Sequence, residues 1–201
     1  MDMDWTRSLA DGGKLQFTVS FLSKGKADQL FAQLITNLPF ACELITIAGK
    51  TYEMPRRTSW HGDPECVYRY SRKRFIPQPW TPELLEIRNC LHKTSGYDFN
   101  SVLANLYRNG ADSMGEHSDD EPELGPTQDN IAVASVSLGA TRRFIMKHVE
   151  QNHRLYLDLP HGSLLLMDGT TQQYWRHYLP KTKKLVEPRL NLTFRIIQTK
   201  N

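Results

Sequence analysis

In the stretch "GEHSDDE", His117 and Asp119 stand two residues apart. On an extended chain residues at that spacing point the same way, so an imidazole and a carboxylate can meet one ion. Two ligands leave a site incomplete. A third histidine from a distant strand would give the two-His-one-carboxylate set, which keeps coordination positions open and suits Fe(II) oxygenases. A second His-x-Asp pair, His61 and Asp63, lies in "SWHGDPEC". There Gly62 and Pro64 indicate a turn and a structural histidine. His117 differs in following a core-type strand, "SVLANLY", within an acidic segment.

The chain has seven histidines. His92 falls on a predicted helix, His148 and His153 flank a polar turn, and His161 sits in the tight turn "LPHGS". His177 remains, in the aromatic stretch "QQYWRHYLP", sixty residues after His117. On position alone it fits a core histidine with a satisfied hydrogen bond better than it fits a third ligand.

"PRLNLTFRI" splits with a period of two. Leu190, Leu192, Phe194 and Ile196 fall on one side, and Arg189, Asn191, Thr193 and Arg195 on the other. Such alternation marks a half-buried strand. An open-sided iron needs a co-substrate that supplies electrons for O₂ cleavage, and a keto acid with two carboxylates would serve. Each carboxylate wants a cation, best an arginine, whose guanidinium pairs bidentately. Arg189 and Arg195 lie about 20 Å apart along the strand at ~3.3 Å per residue. Their long arms can converge on a ligand between them. Taken alone, the strand fits two solvent-facing arginines equally well, and co-occurrence with His117, Asp119 and His177 favours the binding role. Asn105 and Tyr107 share one face of the strand before His117 and can add hydrogen bonds from the side.

The 201 residues suit one large domain or at most two, and 39% hydrophobic content supports a real core. No apolar run approaches a membrane span. Three cysteines, Cys42, Cys66 and Cys90, without C-x-x-C spacing, argue a reducing compartment and no disulfide framework. The net charge of +3 is mild, but its distribution is uneven. Residues 50–74 carry seven Lys/Arg against three Asp/Glu, and residues 105–130 carry one against seven. A basic stretch can follow a phosphate backbone and an acidic cluster can hold a cation, while two solvated surfaces of opposite sign would look the same.

The elements that must position these residues read as two helices followed by strands. Ser23 opens a helix running to Leu38, stopped by Pro39. Thr81 caps a second, with Pro82 at its first position and Gly96 after its end. A hairpin is expected around Ala48-Gly49, and "CVYRYS" alternates with Tyr68 and Tyr70 on one face. Seven strands follow: 101–107, 131–137, 142–148, 154–159, 163–167, 175–179 and 189–198. Closely spaced strands after two helices suggest an antiparallel sandwich or barrel with helices on one side. Residues 1–14 read as a flexible tail, and they do not form a signal peptide.

These motifs resemble the AlkB family of Fe(II)/2-oxoglutarate dioxygenases. The resemblance rests on Asn105-x-Tyr107, "GEHSDDE", "ASVSLGATRRF", "LPHGSLLLM", His177 and Arg189-x-Asn191-x-Thr193-Phe194-Arg195, in order, over roughly residues 100–197. It implies an α+β, mainly β fold: a double-stranded β-helix (jelly-roll) core over 101–198, with N-terminal helices packed on one side. Residues 15–201 would then be a single domain, with helices and nucleotide-recognition hairpins over 15–100. It implies iron on His117, Asp119 and His177. It implies Arg195 on the C1 carboxylate of 2-oxoglutarate and Arg189 with Tyr107 on the C5 carboxylate, with Asn105, Asn191 and Thr193 assisting. Such enzymes hydroxylate an N-methyl group on a damaged base, which then leaves as formaldehyde. The cofactors expected are Fe(II), 2-oxoglutarate and O₂, with ascorbate as reductant in vitro.

A base inside a duplex cannot reach the iron, so it must be flipped out and held by stacking and edge contacts. Tyr68 and Tyr70 are placed to stack on it. Asp120 or Glu121, beside the ligands, can accept from an exocyclic amine and suit a cationic base such as 1-methyladenine or 3-methylcytosine. Arg56 and the basic residues after it are candidate phosphate contacts, as are Lys181, Lys183 and Lys184. Duplex-acting members carry a bulky wedge at a hairpin tip, and the matching tip here is Ile47-Ala48-Gly49. A methyl group is a poor wedge, so strand preference stays open between single- and double-stranded DNA, with RNA a further substrate class. A monomer is expected, in the cytoplasm if bacterial or the nucleus if eukaryotic. Two other readings compete: the same iron chemistry on a protein or lipid, and a nucleic-acid-binding module with a vestigial site.

Overall fold

The computed structural model describes residues 4–47, 49–70, 73–126 and 130–198, with the side chains of 45–47, 68–70 and 73–75 outside that description. The chain opens with β1 (Trp5–Ser8), β2 (Gly13–Thr18), α1 (Lys24–Asn37), β3 (Leu44–Ile47), β4 (Lys50–Glu53) and β5 (Arg57–Gly62). It continues with β6 (Tyr68–Tyr70), β7 (Lys73–Phe75), α2 (Pro82–Ser95), β8 (Ser101–Tyr107) and β9 (Met114–His117). The last part is β10 (Val133–Gly139), β11 (Arg142–His148), β12 (Arg154–Leu159), β13 (Ser163–Gly169), α3 (Thr171–Tyr174), β14 (Trp175–Leu179) and β15 (Arg189–Arg195).

Two antiparallel sheets form the core. The major sheet has seven strands in the order β1-β2-β13-β10-β15-β8-β5, and the minor sheet has four, β12-β11-β14-β9. Hairpins β3–β4 and β6–β7 stand apart from both. The crossovers between sheets are those of a jelly roll. Period-two alternation gives the central major-sheet strands an apolar outer side and a polar inner side. Outside, Val102, Ala104, Val136, Leu190, Leu192 and Phe194 pack against the helices. Helix α1 contributes Ala27, Leu30 and Leu34, and α2 contributes Leu84, Ile87 and Leu91, each set at helical spacing. Inside, the two sheets close on a second apolar cluster that includes Val133, Phe144, Met146 and Leu165.

The α2 boundaries follow the sequence signals. Thr81 Oγ1 accepts the Leu84 amide, Pro82 begins the helix, and Gly96 ends it at φ 76°. Ser23 occupies the N-cap of α1, but its side chain makes no capping hydrogen bond.

Several strands depart from the sequence expectation. Residues 4–14 are not a loose tail: β1 pairs with β2, and Trp5 lies opposite Phe17 with ring centroids 5.4 Å apart. Asp11 and Gly12 turn the hairpin at positive φ, and the Asp11 carboxylate accepts from buried His148 at 2.8 Å. β2 in turn pairs with β13, extending the major sheet. The stretch around His61 is not a turn but β5, paired along its length with β8. Its Gly62 marks a close backbone approach, since a Cβ there would lie 2.9 Å from the Asn100 carbonyl. β9 has no apolar alternation of its own. It is a strand because β14 pairs with it, placing His117 opposite His177.

Candidate active site

That last pairing builds the site. His117 ends β9 and His177 sits in the middle of β14, with ring centroids 4.3 Å apart. Asp119 follows two residues later and is almost wholly buried. The nearest ligating atoms of the three lie within 4.8 Å of one another. His117 Nδ1 is 2.9 Å from the Gly115 carbonyl; donating to it leaves Nε2 as the ligand atom. The His177 ring stacks on Phe144 at 5.2 Å. The buried Asp119 amide donates to Gln172 Oε1 at 3.0 Å, which orients the carboxylate.

The electrostatics favour the metal-binding protonation states. Burial pushes His177 down to about 3, with Asp119 opposing and His117 and Arg195 adding to the depression. The imidazole is therefore neutral at ordinary pH, as a ligand must be. Burial works to raise the Asp119 carboxyl, but Arg195, then His177 and His117, together hold it below its ordinary value. Its Oδ2 is buried without a hydrogen bond, 3.5 Å from His177 Nε2. An orphaned carboxylate oxygen beside two imidazoles fits a divalent cation.

A cavity between the sheets leads away from this triad. Asn105, Tyr107, Ser135, Asn191, Thr193 and Arg189 line it. Strand pairing dictates the grouping: Arg189 lies opposite Tyr107, and Asn191 opposite Asn105. Arg189 is 2% exposed, one of the largest buried side chains in the chain. Its Nη2 donates to Ser137 Oγ at 2.9 Å and its Cζ stands 5.4 Å from the Tyr107 ring centre. Burial lowers its pKa to about 10, so it keeps its charge. No carboxylate pairs with it among the described residues, and its Nε has no partner. A desolvated guanidinium without a counter-ion is costly unless an anion joins it. The cavity therefore fits the carboxylate of a bound co-substrate.

Arg195, at the other end of β15, is placed differently. It donates to Asp119 Oδ1 and its Nη1 lies 3.9 Å from Glu121 Oε1. Asn191 Nδ2 bonds Ser135 Oγ and the Val136 carbonyl, and the Thr193 hydroxyl donates to Asn191 Oδ1.

Of the expected substrate residues, Arg56 is a correction. It is 5% exposed and its Nε donates to Asn105 Oδ1 at 2.8 Å, so it is an internal partner of the cavity wall rather than a surface phosphate contact. Glu121 turns towards Arg195, with Oε2 buried and unbonded, whereas Asp120 is exposed. Tyr68 and Tyr70 lie on β6 as expected, but their side chains are outside the described residues, as are the Ile47 side chain and all of Ala48. Gly49 completes the tip at φ 77°. His61 joins no metal group among the described residues. Its Nδ1 donates to the Pro79 carbonyl and Nε2 accepts from Ser59, the pattern of a neutral structural histidine.

Sequence reasoning missed several supports. Ser135 and Ser137 stand between apolar residues in "ASVSLG", and period-two reading would have placed them inside. Arg142 is buried and donates to the carbonyls of Asn109, Asp112 and Pro180, tying the segment before β9 to the one after β14. Gln172 has no local signal, since it comes from a single turn of helix.

A double-stranded β-helix with a His-Asp-His cluster facing a buried arginine defines an open-sided iron oxygenase with an acidic co-substrate. The 2OG-Fe(II) oxygenase superfamily model matches residues 14–195, and the chain belongs to that superfamily. It falls within the AlkB family by its relatives. It is 38% identical to the mouse DNA oxidative demethylase ALKBH2, over 98% of this chain and 86% of that protein. It is 42% identical to the bovine alpha-ketoglutarate-dependent dioxygenase alkB homolog 3, over 88% of this chain and 64% of that protein. Among solved structures, OsALKBH1 superposes with a TM-score of 0.61 at 18% identity, over 90% of this chain and 97% of that one. The chain is a dioxygenase whose family uses Fe(II), 2-oxoglutarate and O₂.

Proposed function

We infer that this protein is an oxidative demethylase that repairs N-alkylated bases in DNA. The observation that carries the reading is the His117–Asp119–His177 cluster beside the buried cation Arg189, which has no carboxylate partner among the described residues, in a chain with relatives named DNA oxidative demethylases. Iron and 2-oxoglutarate, when bound, supply O₂ activation: one oxygen atom enters a methyl C–H bond and the other enters succinate, with release of carbon dioxide. His117, Asp119 and His177 hold the metal. Arg189, with Tyr107 beside it, anchors the far carboxylate of 2-oxoglutarate. Burial keeps the Tyr107 phenol protonated, so it can donate a hydrogen bond. Asn105, Asn191 and Thr193 form the wall, and Arg195 serves the near carboxylate while steadying Asp119.

The base enters from a groove between Met54–Arg56 and β9, with Lys181 on its rim. Met114 and His117 line both groove and inner cavity, so the groove opens onto the metal. Glu121 offers an unbonded carboxylate oxygen for the exocyclic amine of a cationic base. Tyr68 and Tyr70, on the separate hairpin, supply stacking. The hydroxylated N-methyl group collapses to formaldehyde and leaves the base restored.

The test is mass spectrometry of 1-methyladenine oligonucleotides, single- and double-stranded, incubated with the protein, Fe(II), 2-oxoglutarate and ascorbate in air. Loss of the methyl group that requires 2-oxoglutarate supports the reading. Consumption of 2-oxoglutarate with the methyl group intact would move the chemistry to another substrate class.

A further inference from the structure

The outer face of the minor sheet carries three cations in register. Lys147 on β11 lies directly opposite Arg154 on β12 and directly opposite Arg176 on β14. Phe144, Met146 and His177 take the inner positions of these strands, so the row faces out. Arg154 and Arg176 are exposed, and the Lys147 side chain is 42% exposed.

Like charges placed directly opposite each other destabilise a sheet. On the same face the fold shows the usual remedy: Arg143 lies opposite Asp158 and pairs with it at 2.7 Å. The triple row lacks that remedy. Glu116, 3.6 Å from Lys147, is its one counter-ion, and neither Arg154 nor Arg176 has an ion-pair partner among the described residues. Neighbouring strands lie about 4.8 Å apart, so the row spans about 10 Å, close to the rise of three nucleotides along one strand. The row also points somewhere. Beyond β14 the next strand is β9, whose Glu116 and His117 line the groove that opens onto the metal cluster.

We propose that Arg154, Lys147 and Arg176 form a phosphate-binding platform that carries the nucleic-acid backbone across the minor sheet towards the groove. The proposal rests on the reading that the substrate is nucleic acid. It places the platform outside the reacting centre, so it sets affinity and salt dependence and leaves the chemical step alone.

The test uses fluorescence anisotropy of the full chain with an unmodified labelled oligonucleotide about 20 nucleotides long, titrated between 50 and 200 mM salt. The variant is Arg154→Gln/Arg176→Gln, and the control is Lys24→Gln/Lys26→Gln on α1. Each phosphate contact contributes close to one unit to the slope of log affinity against log salt. The platform variant is expected to lose about two units of slope, or about tenfold less affinity change over that range, while the control matches wild type. Its kcat on a methylated trinucleotide stays at the wild-type value, and its KM on the long substrate rises. A wild-type slope in the platform variant, with demethylation intact, would overturn the platform and leave the demethylase reading standing. A reduced slope with no demethylation in wild type would do the reverse. No binding of the oligonucleotide by wild type would overturn both.

Discussion

Arg195 donates to Oδ1 of Asp119, so the cation expected to hold one carboxylate of the co-substrate is tied to the carboxylate expected to hold iron. The pair is nearly buried, with the Asp119 side chain 1% and the Arg195 side chain 16% exposed. Arg195 is also the largest influence keeping Asp119 ionised against burial. The two sub-sites are therefore electrostatically one. Arg195→Met is predicted to weaken both Fe(II) and 2-oxoglutarate binding, each by tenfold or more, because a charge-assisted bond of about 1.5–3 kcal/mol is lost. Calorimetric titration of the two ligands in turn checks this. Loss of 2-oxoglutarate binding alone would show that the pair with Asp119 does not matter.

Arg189 predicts the opposite pattern for stability. It is a buried cation without a carboxylate partner among the described residues, and replacing such a charge by an apolar side chain of similar length is often neutral or stabilising. Arg189→Met is expected to melt within a few degrees of wild type in ligand-free form. Wild type gains thermal stability on adding 2-oxoglutarate with Fe(II), whereas the variant gains little. A ligand-free variant that is strongly destabilised would mean that Ser137 and Tyr107 already satisfy the guanidinium.

Gln172 acts through Asp119. Gln172→Ala leaves the Asp119 amide buried and unsatisfied, a cost of about 1–3 kcal/mol. Fe(II) affinity is expected to fall about 10–100-fold, the range typical for losing a partner that orients a metal ligand. Gln172→Glu keeps the acceptor and is expected to recover most of it. Equal affinity in wild type and Gln172→Ala would remove Gln172 from the account.

His177 gives a pH dependence. Its folded pKa of about 3 lies below the ordinary 6.5. Between those values the unfolded state binds the extra proton, so metal-free stability falls as pH falls through that window. At pH 5 the loss from this group is about 2 kcal/mol relative to pH 7. His61, depressed by burial in the same direction, adds to it. Urea midpoints at the two pH values, for wild type and His177→Asn, check the sign. The variant is expected to show the smaller difference.

Much of this was legible before the structure, and the exceptions share a cause. Strands 101–107, 142–148, 154–159 and 175–179 carry their own alternation and match β8, β11, β12 and β14 residue for residue. Thr81, Pro82 and Gly96 fix α2 by local chemistry alone. The grouping of His117, Asp119 and His177 was readable because His117 and Asp119 sit at strand spacing and the other histidines read as helix or turn residues. β9 was not readable, since "MGEH" has no period and becomes a strand only through its pairing with β14. The N-terminal segment looked polar and loose because its hairpin depends on Phe17 beneath Trp5 and on distant His148. Arg56 looked like a surface cation in a basic run, and only the pairing of β5 with β8 brings that end of the strand beside Asn105. Non-local pairing decided each of these.

The central claim is that His117, Asp119 and His177 hold an iron that couples 2-oxoglutarate oxidation to base demethylation. The most direct measurement is the ratio of formaldehyde to succinate released from a 1-methyladenine oligonucleotide, for wild type and His117→Ala side by side. The account predicts equal amounts of the two products from wild type, dependent on Fe(II), and neither above background from the variant. Undiminished formaldehyde from His117→Ala, or formaldehyde without succinate, would contradict it.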